Sequence, residues 1–178
     1  MNDLMVDIET LGTTPDAAII SLGAVWFDPR SDEMGAELYR VIDPRQRRHI
    51  DPDTVLWWFG QPSGSNPFAR RAAMHPLPDA LEDLSVFIAQ NTGPVRLWSQ
   101  GAAFDGVLLE DAFRQHGRVA PWKFWDVRDT RTVYDMAGDD DRTALVAHHA
   151  LEDAKAQARR VQRCFAKLGI ATVAESAR

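Results

Sequence analysis

Residues 4–12 read Leu4-Met5-Val6-Asp7-Ile8-Glu9-Thr10-Leu11-Gly12. Apolar residues run straight into an Asp-x-Glu pair, and Gly12 then releases the chain into a turn. In a strand, residues i and i+2 share a face. Asp7 and Glu9 therefore project together, while Ile8 points into the opposite layer. Two neighbouring carboxylates repel each other, and burying them unpaired either costs free energy or forces a proton on. A divalent cation removes that conflict, so the pair reads as half of a metal site. The alternative is an exposed strand end with two solvated acids, and the rest of the chain has to decide between them.

Working outward, the chain reads as strands first and helices later. Residues 13–16 make a turn, and 19–27 (IISLGAVWF) are rich in β-formers and short enough for a strand. Residues 37–42 (ELYRVI) predict a third strand, and short links between the three imply an antiparallel meander. Asp51-Pro52-Asp53-Thr54 then marks a helix start before Val55-Leu56-Trp57-Trp58-Phe59, with Gly60 and Pro62 as its stop. A loop at 61–67 and a helical turn at 68–74 precede a helix from 77, whose Ala80, Leu81, Leu84, Phe87 and Ile88 recur at helical spacing. Residues 95–99 (VRLWS) predict a fourth strand. A helix over 104–116 should bury Val107, Leu108, Ala112 and Phe113. A short strand follows near 125–127, then a helix over 131–136 and an exposed acidic loop at 138–141. The last helix covers 149–168, burying Leu151, Ala154, Ala158, Val161, Cys164 and Phe165. Antiparallel strands followed by strand–helix alternation predict an α/β domain with a mixed sheet.

At 178 residues, with 45% apolar and 26% charged residues, the chain is expected to be one domain over 1–178, with 170–178 a frayed tail. No apolar run reaches the length of a membrane span, and Met1-Asn2-Asp3 lacks the basic start of a signal peptide. The only cysteine, Cys164, reads as a small core residue. A cytoplasmic protein with no membrane partner is the expectation. The net charge of −6 argues against broad electrostatic adhesion to nucleic acid. It leaves room for an enzyme whose clustered carboxylates are neutralised by bound cations. Basic residues gather at Arg45, Arg47, Arg48 and His49, at Arg70-Arg71, and at Arg159, Arg160 and Arg163, and each group reads as a solvated face.

Two further acidic positions bear on the opening pair. Asp105 follows Ser99-Gln100-Gly101-Ala102-Ala103-Phe104, where a strand ends and a helix begins, the kind of junction at which open α/β sheets bind ligands. An acid there also suits the helix dipole with no further role. Asp153 lies in His148-His149-Ala150-Leu151-Glu152-Asp153-Ala154, near the start of an amphipathic helix. Histidine can carry a proton near neutral pH. His149 and Asp153, four apart, would share a helical face. His148, five apart, would have to swing in from the preceding loop, so spacing favours His149. Asp7, Glu9, Asp105 and Asp153 together form an all-oxygen ligand set suited to Mg²⁺ or Mn²⁺ and unlike a zinc site. Two such ions can hold the attacking and leaving oxygens of a phosphoryl displacement. Metal-assisted phosphodiester hydrolysis is the chemistry these residues fit best.

The same residues resemble the DEDD superfamily of 3′-to-5′ exonucleases, in its histidine-containing (DEDDh) branch. Asp7-Ile8-Glu9-Thr10 looks like the first exonuclease motif, Ala103-Phe104-Asp105 with Leu108 like the second, and His148-x-Ala-Leu-x-Asp153-Ala like the third. Thr54 to Phe59 (TVLWWF) and Lys123-Phe124-Trp125 with Arg128-Asp129-x-Arg131-Thr132 are similar to the phage T4 DexA-like and mycobacterial exoribonuclease family. The resemblance runs from about residue 4 to 158. It implies a ribonuclease H-like fold, a five-stranded mixed sheet flanked by helices, and two Mg²⁺ or Mn²⁺ ions held by Asp7, Glu9, Asp105 and Asp153. It selects His148 over His149 as the general base, against the spacing argument. It implies a slot for the 3′-terminal nucleotide at Thr10 and Leu11, and makes Phe104 a substrate contact. The substrate implied is the 3′ end of single-stranded nucleic acid, RNA ahead of DNA, released as nucleoside 5′-monophosphates. Competing readings are a ribonuclease H-like endonuclease and a catalytically idle nucleic-acid-binding module.

Several aromatic and charged residues carry two readings. Trp57, Trp58 and Phe59 are consecutive, so one helical face cannot bury all three; Trp57 is the choice as an exposed base-stacking residue. Trp98, Trp122 and Trp125 read as core. The surplus of tryptophan would also suit a homodimer interface. Asp129 reads as the ion-pair partner of a neighbouring arginine, Asp139 to Asp141 as solvated, and Arg131 could reach a phosphate.

Overall fold

The opening stretch forms β1 (Asp3–Thr10), and its alternation decides what each face of the sheet covers. The computed structural model describes residues 1–61, 74–140 and 148–170. Most of the loop at 61–67, the turn at 68–74 apart from Met74, Arg70, Arg71, Asp141 and the tail from 171 lie outside the described residues. β2 (Ile19–Phe27) and β3 (Met34–Ile42) continue from β1 as an antiparallel meander. Beyond α1 (Pro52–Phe59), the short β4 (Met74–His75) pairs with β3 in parallel. After α2 (Leu77–Ala89), β5 (Arg96–Ser99) runs parallel to β1. α3 (Asp105–Gln115) leads to β6 (Val127–Asp129), which lies parallel to β5, and α4 (Thr130–Ala137) and α5 (Ala150–Lys167) close the chain.

The strand order is β4-β3-β2-β1-β5-β6, a mixed sheet flanked by helices. Among the described residues it has six strands where five were expected. The sixth is β4, whose two residues are too few to show a period-2 pattern and which replaces helical structure at Met74.

Each face of β1 feeds its own core. Leu4, Val6 and Ile8 pack with Leu81 and Leu84 of α2 and with Leu108, Leu109, Ala112 and Phe113 of α3. Met5, on the other face, packs with Val25, Trp98, Tyr134 of α4, and Ala154, Ala158, Val161 and Cys164 of α5. Full burial of each such aliphatic side chain is worth about 1.5–3 kcal/mol, so the apolar lead of β1 anchors both layers. Asp7 and Glu9 continue the Met5 face, beneath the start of α5.

Several residues sit differently from expectation. Val107 is exposed and Leu109 takes its place in the core. Trp125 is exposed, because residues 124–126 form a 3-10 turn at the sheet edge with Phe124 stacked edge-on against it; Trp98 and Trp122 are buried. Among the described residues Asp129 makes no ion pair with a neighbouring arginine. Its carboxylate caps α4 by accepting from Arg131 N–H, and accepts from Ala102 N–H at 3.1 Å. Arg48 is no solvated residue: it is buried, donating to Ala17 O and Asp111 Oδ2 and tying the loop before β2 to α3. Asp139 is paired with Arg160 at 3.1 Å, whose guanidinium also lies 3.9 Å over the Tyr134 ring. Cys164 is buried, as its apolar surroundings predict.

Candidate active site

The site begins where two strands part. β1 and β5 pair only from Asp3↔Arg96 to Met5↔Trp98. Beyond that point β1 runs on with its β5-facing edge open. The chain after β5 turns at Gly101 (φ +116) and enters α3, whose first residue is Asp105. Its Oδ1 accepts from Ile8 N–H at 3.2 Å, so the carboxylate occupies the edge that β5 has vacated. A crevice at the carboxyl end of a parallel pair results, the usual ligand position in such sheets.

Asp153 arrives from the other layer through an unusually close approach. Gly23 pairs with Asp7 across β1 and β2. A Cβ at position 23 would fall on the backbone of Ala150 and Leu151, so only glycine lets the start of α5 rest on the strand there. One turn into that helix, Asp153 reaches the cluster and its Oδ2 accepts from His149 N–H at 3.1 Å. Asp7, Glu9 and Asp153 each present an oxygen, and these oxygens lie within 4.8 Å of one another. With Asp105 they line a cavity of about 180 Å³.

Such crowding resists ionisation. Burial, then the nearby charges of Asp153 and Asp105, pushes Glu9 up to about 8. Burial pushes Asp105 up to about 7, against the hydrogen bond from Ile8 N–H. Asp7 is raised well above the ordinary carboxylate range by burial and by Asp105 and Glu9; the one hydrogen bond that opposes this comes from Gln157, donating at 2.7 Å. Carboxylates that cannot all be charged in the absence of a cation, yet converge, make a donor set for hard divalent ions. An all-oxygen cluster of this kind fits Mg²⁺ or Mn²⁺.

The two histidines separate. His149 is the N-cap of α5, not part of it, so helical spacing does not carry its ring towards Asp153; the ring stacks on Tyr39 at 4.3 Å between centroids. His148 lies before the cap at φ +48, a left-handed conformation uncommon for a side-chain-bearing residue. That twist turns its ring into the cavity wall. Trp57 and Trp58 meet it edge-on, with centroids at 4.8 and 5.9 Å. α1 is itself fixed to β1, because Trp58 is buried and its Nε1 donates to Thr10 O at 2.9 Å.

Of the other expected contacts, Phe104 lines the cavity and Trp57 is 45% exposed beside His148. Thr10 and Leu11 are buried behind Glu9, and the Thr10 hydroxyl donates to Gly12 O at 2.6 Å. Neither lines the cavity. Gln100, Tyr134 and Gln157 line it without having been expected to, and so does Arg160, which the sequence placed on a solvated face. Gln157 was within reach of sequence reasoning, since it stands four residues after Asp153 on the same helical face.

Residues 2–165 match the family model described as the 3′-5′ exoribonuclease Rv2179c-like domain. The chain belongs to the Rv2179c-like family. This chain is similar to the exodeoxyribonuclease of enterobacteria phage T4, 28% identical over 159 aligned positions that cover 74% of this chain and 70% of that protein. E. coli Exonuclease I in complex with a dT13 oligonucleotide matches 94% of this chain with a TM-score of 0.69 at 16% identity, but this chain spans only 42% of that one. The nuclease domain of 3′hExo, a DEDDh family member bound to rAMP, matches 94% of this chain and 92% of its own, with a TM-score of 0.63 at 16% identity. These likenesses establish the ribonuclease H-like fold of DEDDh exonucleases. Among the described residues no helix is long and apolar enough to cross a membrane.

Proposed function

We propose that this Rv2179c-like chain is a metal-dependent 3′-to-5′ exonuclease that shortens single strands and releases nucleoside 5′-monophosphates. The observation that carries the reading is the convergence of Asp7, Glu9, Asp105 and Asp153, from three separate elements, on one cavity that also has His148 in its wall. Those four carboxylates would hold two Mg²⁺ or Mn²⁺ ions. Bound there, the ions supply Lewis-acid stabilisation of the charge that develops on the phosphate oxygens.

The chain's own groups do the rest. His148 takes the proton of the attacking water on its ring nitrogen, held for the task by its edge-on contacts with Trp57 and Trp58. The water oxygen bonds to phosphorus, the bond from phosphorus to the 3′ oxygen breaks, and that oxygen takes a proton from solvent, so the shortened strand leaves with a free 3′ hydroxyl. Gln157 fixes the orientation of Asp7 through its 2.7 Å hydrogen bond. Phe104 and Trp57 offer apolar faces to the terminal nucleotide, and Thr10 and Leu11 shape the wall behind Glu9 without lining the cavity.

RNA is taken as the substrate because the family description names an exoribonuclease, whereas the phage relative is named an exodeoxyribonuclease. Matched single strands of RNA and DNA, labelled at the 5′ end and incubated with Mn²⁺, test both points. A ladder of strands each shorter by one nucleotide, faster on RNA, is expected. Internal fragments would replace the reading by an endonuclease, and binding without shortening by an idle binding module. A faster ladder on DNA would reverse the substrate assignment alone.

A further inference from the structure

Against the turn between β5 and α3 lies a positive charge, Arg131 of α4, that the proposed reaction has not used. Gly101 lies at the apex of that turn at φ +116. A Cβ there would come within 2.6 Å of Arg131 Nη1, so the absent side chain leaves the space in which the guanidinium rests. Asp129 holds the arrangement together: one carboxylate oxygen accepts from Ala102 N–H in the turn, the other from Arg131 N–H at the start of α4. Arg131 is exposed. Among the described residues its guanidinium makes no ion pair and no hydrogen bond, in contrast to the arginines at 48, 96 and 160.

The position of this cation relative to the carboxylates is informative. The guanidinium rests against Gly101, four residues before Asp105 in the turn that delivers that carboxylate to the cluster. Gln100 and Phe104, on either side of Gly101, line the cavity, while Arg131 does not. The guanidinium therefore stands just outside the space that takes the reacting phosphate. A strand entering a site with four acidic side chains meets repulsion there, and a fork-shaped cation matches a phosphodiester well. We propose that Arg131 binds the backbone phosphate next to the one being hydrolysed, on its 5′ side, and so sets the register of the strand. This rests on the exonuclease reading. Phosphate contacts of this kind position a strand and carry no base preference.

Substrate length isolates the contact. A dinucleoside monophosphate contains only the bond to be cut, whereas a trinucleoside diphosphate adds one neighbouring phosphate. Arg131→Ala should raise KM for the trinucleoside diphosphate about tenfold or more, the effect of losing a charged hydrogen bond. On the dinucleoside monophosphate it should stay within about twofold of the parent by the same principle. Arg131→Lys, which keeps the charge without the fork, should recover part of the loss. In Ca²⁺, the slope of log affinity against log salt for a longer single strand should fall by about 0.7 on Arg131→Ala. Thermal melting of both variants checks that they fold. Equal losses on the two substrates would overturn the proposal, placing Arg131 on the reacting phosphate or on Asp105. No loss on either would overturn it as well. If the parent protein cleaves neither substrate in Mn²⁺, the exonuclease reading itself fails and the proposal fails with it.

Discussion

At the level of single residues, the crowded carboxylates either keep protons or take a cation. Glu9 keeps its proton to about 8 and Asp105 to about 7, against ordinary values of 4.5 and 3.8. A carboxylate whose pKa is raised in the folded state binds protons there that the unfolded chain has already lost. Its contribution to stability is therefore fully present below the unfolded value and disappears as pH rises through the folded one. Metal-free protein is expected to melt at a lower temperature at pH 8.5 than at pH 5.5, and Mn²⁺ should close most of that gap. Differential scanning calorimetry with and without EDTA makes the measurement, and equal melting temperatures at the two pH values would contradict it. The histidines make a second residue-level contrast. His148→Ala is expected to lower kcat by roughly 10²–10⁴, as for loss of a general base. His149→Ala should instead cost about 1 kcal/mol of stability through the α5 cap and the Tyr39 stack. Steady-state rates and denaturant unfolding of both variants separate the roles; a greater loss of rate from His149 would reverse them.

Among elements, the approach of α5 to β2 does most to assemble the site. Gly23 is the point of contact, directly across the sheet from Asp7. Gly23→Ala sets a methyl group against the backbone of Ala150 and Leu151, a group that cannot rotate away. The start of α5 must lift, at a cost of about 1–3 kcal/mol by analogy with overpacked cores. Asp153 and His148 move with it, so activity should fall further than the lost stability explains. Urea unfolding and hydrolysis rates on the same variant test this, and a variant of unchanged stability would mean the helix has room to spare. Nothing about Gly23 suggested this from sequence beyond a glycine within a strand, itself a hint of close backbone approach.

For the whole molecule, legibility followed local patterning. β2 spans the stretch expected from its β-formers, and α2 begins at the expected Leu77. The alternation in β1 placed Asp7 and Glu9 on one face, and Asp105 lies where a strand gives way to a helix. What sequence did not disclose depends on partners distant along the chain. Trp125 is apolar yet exposed, because an edge strand leaves its flank uncovered. Asp129 serves as a cap and a tie to Ala102, since the turn before α3 lies against it. His149 departs from helical spacing because α5 starts at Ala150, which makes His149 its cap. The central claim is that the converged carboxylates hold the ions that hydrolysis needs, and Asp7→Ala tests it most directly. With the circular dichroism spectrum unchanged, release of mononucleotides from a single strand in Mn²⁺ should fall below detection, whereas full retention of activity would contradict the metal site.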